Sequence, residues 1–174
     1  MTATQVSQHR RSHREPDRRI KQSLLINLIA CLALVAQFLL GMAVNLFVTV
    51  PDHHPGAHDH NFFAGISSAI GWAIPSGSIW LAAHVTLGIV LLVAGLANAA
   101  WAPHMKRKLY TAASILAGLA ILGAAFNGIS FVNYGHDFSS MIMAGLWALA
   151  LSCYLLCLYV SAVANHQAVG GTDA

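Results

Sequence analysis

Five of the ten histidines in this 174-residue chain fall in two short polar stretches, His53, His54, His58 and His60 in one and His136 in the other. Asp52, Asp59 and Asp137 lie among them. Three or four such nitrogen and oxygen donors can hold Zn²⁺ or Cu²⁺, which makes these histidines candidate metal ligands. The run Asp-His-His-Pro-Gly-Ala-His-Asp-His has no helical period to preorganise a site, and a solvated polar loop is the simpler expectation. Cys153 and Cys157 stand four apart on one helix face with no His or acid beside them in sequence, which suits packing better than ligation. Cys31 shares their apolar setting, and no disulfide framework is expected. No nucleophile with its base, phosphate-binding loop or dinucleotide fingerprint occurs, so enzyme chemistry of the soluble type is not expected.

His84 stands apart from the other histidines because it lies inside a long apolar run, where an ionisable residue marks a functional-site candidate. Neutral imidazole ligates haem iron, and a four-helix bundle with inward-facing ligands can hold haem b. A single histidine supplies one axial position. Met141 or Met143 could supply the other, since His/Met ligation occurs in cytochromes. Asn45 and Asn127 lie at about the same depth as His84, roughly 8 Å inside the membrane boundary at the helical rise per residue. The plainer role for the two asparagines is bonding to each other or to nearby backbone.

These side chains must be carried by membrane-spanning helices. The chain is 57% hydrophobic and 9% charged, against roughly 25% charged in soluble domains, and its mean hydropathy is +0.63. Four apolar stretches, residues 23–50, 79–101, 109–132 and 138–163, have no Asp, Glu, Lys or Arg. Each is long enough to cross about 30 Å of hydrocarbon, and helices are the form that satisfies their backbone there. The expected fold class is therefore an all-α integral membrane protein, an up-down-up-down four-helix transmembrane bundle. Residues 10–21 resemble the basic start of a secretory signal, but the apolar run that follows far exceeds a signal's ~7–15 residues and reads as an uncleaved span.

All nine Lys and Arg fall in the N-terminal segment and the second connection, six in residues 10–21 and three in Lys106–Lys108. Positive residues are retained on the cytoplasmic side, so both termini are expected to be cytoplasmic in a bacterial-type plasma membrane. The expected organisation is a basic tail over residues 1–22, the bundle over 23–163 and a second tail over 164–174. Contact with anionic lipid suits the basic tail; nucleic-acid binding is not expected of it. In the outer loop 51–78, Phe62, Phe63, Ile66, Ala69, Ile70 and Ala73 recur with helical period, which predicts either a short interfacial helix anchored by Trp72 and Trp80 or an ordered loop packed on the bundle.

An internal repeat of two hairpins is expected from two offsets. An offset of 82 lays Leu40, Gly41, Ala43 and Asn45 on Leu122, Gly123, Ala125 and Asn127; an offset of 57 lays His84 on Met141 and Gly88 on Gly145. Such halves would be related by a pseudo-two-fold axis along the membrane normal. Helix contact is expected along His84, Gly88, Leu91, Gly95 and Asn98, along Ala120, Ala124 and Gly128, and along Ser140, Ala144, Ala148 and Ser152, because small residues let backbones approach.

The pattern Gln37-Phe-Leu-Leu-Gly41, Ala83-His84-Val-Thr-Leu-Gly88 and Ile121-Leu-Gly123, followed by a fourth span, resembles one four-helix half of the haem A synthase type of membrane protein. In that family, histidines near the outer ends of the even-numbered spans serve haem, and the resemblance implies that place for His84. The fourth span has no His, the loop before the second span lacks the family's acidic residue and cysteine pair, and the 174 residues hold no second half. The chain also resembles small four-span membrane proteins of high-GC bacteria. The lead expectation is a haem b- or quinone-binding subunit in electron transfer or in respiratory-complex or cofactor assembly. The alternatives are a structural subunit contacting other membrane subunits, and an outward-facing Zn- or Cu-binding protein.

Overall fold

In the computed structural model, which describes residues 3–57, 59–135 and 137–170, each apolar stretch is one helix and no strand occurs among the described residues. The helices are α1 (Ala3–Phe47), α2 (Phe62–Ser76), α3 (Ile79–Trp101), α4 (Lys108–Tyr134) and α5 (Asp137–Gly170), with a 3₁₀ turn at Ala102–Met105. Four segments have membrane-crossing length and composition: Ile20–Phe47, Ile79–Met105, Lys108–Tyr134 and Phe138–Gln167. At 1.5 Å per residue each reaches about 40 Å, and the chain is an integral membrane protein. The basic segment expected as a separate tail is helical from Ala3 and continuous with the first span.

The connections explain where the helices stop. Asn61 caps α2 by accepting hydrogen bonds from the backbone N–H of Phe63 and Ala64 at 3.1 and 3.2 Å. Ser78 caps α3 through Leu81 N–H at 3.2 Å. At the end of α4, Gly135 takes the left-handed conformation (φ 67°) and donates to Phe131 O at 2.9 Å, a C-cap that glycine adopts without steric cost. Removal of the α2 cap by Asn61→Ala is expected to cost about 1 kcal/mol. Faster amide exchange over the first turn of α2, with α4 unchanged, would be the reading.

Around the bundle, α1 packs on α3 and α5, and α4 packs on the same two helices, so α1 and α4 are diagonal. The helix α2 lies across one end, against α3 and α4. This end, with the 48–61 segment and Gly135, is called the loop face; the Lys106–Lys108 turn marks the basic face. The buried side of α2 is Gly65, Ala69 and Ala73, while Phe63 is 73% exposed. The inward face thus follows the expected stripe, with Ala69 and Ala73 buried and Phe62, Ile66 and Ile70 half-buried; Phe63 departs from it and Gly65 joins it.

The core is dense toward the basic face. Cys31, Ala113, Ala117, Ala120, Ala150, Cys153, Tyr154 and Cys157 are all buried in one cluster. There α3 and α4 meet backbone to backbone: a methyl at Gly118 would stand 3.3 Å from Ala99 Cβ and 3.4 Å from Gly95 O. A polar network that the sequence reading did not anticipate ties all four spans together at this level. Ser23 Oγ donates to Tyr110 OH at 3.1 Å and pairs with Ser161 Oγ at 2.9 Å. Asn27 Nδ2 donates to Ser23 O at 2.8 Å and Tyr110 OH at 3.3 Å. Farther along, Asn98 Nδ2 and Ser114 Oγ lie 3.5 Å apart, and Ser114 Oγ and Cys157 Sγ 3.4 Å apart.

On α5 the expected seam needs correction. Ala148 and Ser152 are exposed, Ser140 and Ala144 border a chamber toward the loop face, and the buried face runs through Ser139, Ala150, Cys153, Cys157 and Ser161. Trp147 accounts for the rotation. Its indole Nε1 donates to Leu34 O on α1 at 2.7 Å, and its ring stacks on Phe38 with centroids 4.5 Å apart. A large aromatic with a polar tip gains more from facing a neighbour than an alanine stripe does.

Candidate ligand chamber

Toward the loop face the bundle opens into a chamber of about 300 Å³ whose walls come from α1, α2, α3, α4 and α5. Most of the lining is aliphatic. The polar side chains in it are few, and two of them, Gln37 and His84, meet across the α1–α3 seam.

The meeting is built from two matched four-residue steps on antiparallel helices. On α1, Gln37 is followed by Gly41; on α3, His84 is followed by Gly88. A methyl at Gly41 would stand 3.0 Å from His84 Cε1, and a methyl at Gly88 would stand 3.1 Å from Gln37 Nε2. Each glycine therefore leaves the room that the polar side chain of the other helix fills. Gln37 Nε2 donates to His84 O at 3.1 Å and approaches His84 Nε2 at 3.3 Å. An amide N–H₂ only donates, so Nε2 of the ring is the acceptor and the ring proton sits on Nδ1. Reversing the amide would set Oε1 against the His84 carbonyl oxygen, which the geometry disfavours.

Two polar atoms are left over. His84 Nδ1 and Gln37 Oε1 are both buried and have no hydrogen-bond partner. Buried polar atoms are nearly always paired, and each orphan costs on the order of 1–3 kcal/mol relative to a satisfied group. The site thus carries one unused donor and one unused acceptor in largely apolar walls.

The other expected site residues divide. Met143 lines the chamber, with its sulfur over Gly128, where a methyl would stand 3.2 Å from it. Met141, expected opposite His84 from the repeat, is 63% exposed and turned out of the chamber. The repeat offset therefore does not carry to the site: Leu119, which it equates with Gln37, is 58% exposed. Asn45 lines the chamber near the loop face. Asn127 donates back to Gly123 O of its own helix at 2.9 Å. Neither asparagine is the hydrogen-bond partner of His84, which is Gln37. Sequence reasoning assigned Gln37 no role, although the paired Gln-x-x-x-Gly and His-x-x-x-Gly spacings were a usable signal.

At the loop face, His53 and His60 are exposed, and His58 and His136 lie outside the described residues. His54 is buried and stacks on Trp72 with centroids 4.6 Å apart, so Trp72 holds the loop down. The two ring nitrogens of His54 face Pro55 O at 3.0 Å and Val132 O at 3.1 Å. Among the described residues, no three His, Cys, Asp or Glu side chains converge on one point. No protein-family model, no curated protein and no solved structure matches the chain.

Proposed function

We propose that the protein binds a quinone or quinol in the chamber, as a membrane subunit serving electron transfer. The observation that carries this reading is the orphan pair, His84 Nδ1–H and Gln37 Oε1, buried in the α1–α3 seam that walls the apolar chamber, from which a side-chain rotation on binding would present them to a ligand. A quinone carbonyl accepts from the ring N–H, and a quinol hydroxyl also donates to the amide oxygen. Few polar groups in apolar walls are what a small lipid-dissolved ring requires. The volume of about 300 Å³ is at the low end of ligand pockets, which run from about 300 to 1,000 Å³, and suits a single ring better than a porphyrin. Haem b through His84 and Met143 is the weaker reading for a second reason. Iron needs an imidazole lone pair, and the one on Nε2 faces the Gln37 amide.

Trp147 in the chamber wall provides the measurement. Titration of the detergent-purified protein with a short-tailed benzoquinone is expected to quench tryptophan fluorescence saturably. His84→Ala should weaken the affinity about tenfold, the equivalent of one hydrogen bond of roughly 1.4 kcal/mol. Gly41→Ala, which crowds the ring edge, should weaken it in the same direction. Linear, unsaturable quenching, or an affinity unchanged by His84→Ala, would sink the quinone reading. A reducible Soret band in protein expressed with ample haem would replace it with the haem reading.

A further inference from the structure

The chamber is not shut on every side. Five of its lining residues are also exposed: Phe38, Met42 and Asn45 on α1, Ala144 on α5 and Ile89 on α3. No lining residue of α2 or α4 is exposed, so those two walls are closed. Ile89 stands beside the α1–α3 seam, which Gln37 and His84 fill. The other four fall on the two helices that flank the α1–α5 seam.

Helix geometry brings them to facing lines. Met42 lies about one turn and Asn45 about two turns past Phe38, so the three share one side of α1. On α5, Ala144 and Ser140 lie about one and two turns from Trp147 toward the loop face. Trp147 and Phe38 stack across the seam with centroids 4.5 Å apart, and this pair sets the spacing of the two helices at its level. Nearer the loop face α5 offers the seam only the methyl of Ala144 and the hydroxymethyl of Ser140, too short to reach across a gap held open by an indole. Ala144 marks the rim: it lines the chamber and is exposed at once, which a side chain of one carbon does at an edge where inside and outside meet.

We infer that the chamber opens sideways into the bilayer through a window between α1 and α5, above the Phe38–Trp147 stack, and that its ligand is a quinone with a hydrocarbon tail, the ring inside and the tail in the window. This rests on the quinone reading of the chamber. The window lies within two membrane-crossing segments, and Met42 and Ala144 give it apolar sides. The rival way in is a second cavity of about 290 Å³ at the loop face, which shares Val44, Asn45 and Val50 with the chamber. Asp52 and His54 line that cavity, and a carboxylate and an imidazole suit water better than hydrocarbon.

Photolabelling of the full chain in phosphatidylcholine vesicles reads where the tail lies, with a benzoquinone that carries a diazirine on a decyl tail as the probe and peptide mass spectrometry as the readout. Label over residues 38–45 and 140–148 at least about fivefold above that on α2 and the 48–57 segment, and displaced by excess short-tailed benzoquinone, is the expected result. Label concentrated on α2 or the 48–57 segment, or spread evenly over the spans and not displaced, would overturn the window. Ala144→Phe, which fills the gap, should weaken binding of the decyl-tailed quinone at least about fivefold more than that of the short-tailed one. Ala148→Phe, one turn away and outside the chamber, should change neither. Equal weakening of both quinones by Ala144→Phe would also overturn the window; should that variant fail to fold, the labelling of the unaltered protein decides. Saturable binding of the short-tailed quinone with the tail label elsewhere strikes the window alone, whereas no saturable binding of either quinone strikes the chamber reading and the window with it.

Discussion

Truncation of the half-buried Trp147 to alanine should destabilise the bundle by about 3 kcal/mol, the low end of the range for removing a large aromatic. The indole joins α5 to α1 twice, through its Nε1 bond to Leu34 O at 2.7 Å and its stack on Phe38. It is also a wall of the chamber, so its loss enlarges a space that already lacks packing partners on one side. The surrounding helices cannot close over the gap without moving α1, which carries Gln37. Unfolding in a titration with denaturing detergent should shift accordingly, and quinone binding should fall with it. Trp147→Phe separates the contributions: it keeps a ring to stack and removes the donor, for a loss of about 1 kcal/mol. A Trp147→Ala protein as resistant to denaturing detergent as the unaltered one would show that the α1–α5 seam is held elsewhere.

Replacement of Gly118 by leucine should be nearly as damaging, at the upper end of the 1–3 kcal/mol typical of overpacking. The α3–α4 crossing has no spare room. A methyl at Gly118 already meets Ala99 Cβ at 3.3 Å and the Gly95 carbonyl at 3.4 Å, and a methyl at Gly95 would meet Ile121 Cδ1 at 3.0 Å. Backbone cannot give way as a flexible side chain can, so the helices must separate. Separation pulls Asn98 from Ser114 and so opens the polar network from within. Gly118→Ala is expected to cost less, because Ala99 can shift by a few tenths of an ångström. By contrast Gly145, whose added methyl meets nothing within 4 Å, should accept alanine with no loss. Equal stability of Gly118→Leu and Gly145→Ala, compared by thermal melting in one detergent, would refute this account of the crossing.

What could be read from the residues followed from length and period. Four uncharged apolar runs can only be spans, and the stripe over residues 62–73 announced α2 to within a turn. The inward face of α3 was also legible, because His84, Gly88, Leu91, Gly95 and Asn98 lie on one line and a lipid-facing imidazole would be costly. The face of α5 was legible only at Ser140 and Ala144, which border the chamber. Small residues mark a seam only where no larger side chain has a better partner, and the acceptor for Trp147 is a backbone carbonyl that no sequence displays. Met141 was placed opposite His84 by a repeat offset resting on one glycine, and a helix turned by roughly 100° per residue makes Met141 and Met143 face opposite ways. The basic-face network escaped notice because serine, asparagine and tyrosine are each unremarkable alone; they become a network only when four helices bring them to one level.

The uneven packing has a mechanical consequence. Both cavities, about 300 and 290 Å³, lie toward the loop face, while the buried cluster and its hydroxyl network fill the other half. Compression acts on void volume, and the volume lost under hydrostatic pressure scales with the voids eliminated. The molecule is therefore soft at one end of its long axis and stiff at the other. Raised pressure, or a change in the lateral stress of the surrounding bilayer, would be taken up first where Gln37 and His84 sit, leaving the Gly95–Gly118 crossing as the fixed point about which the spans move.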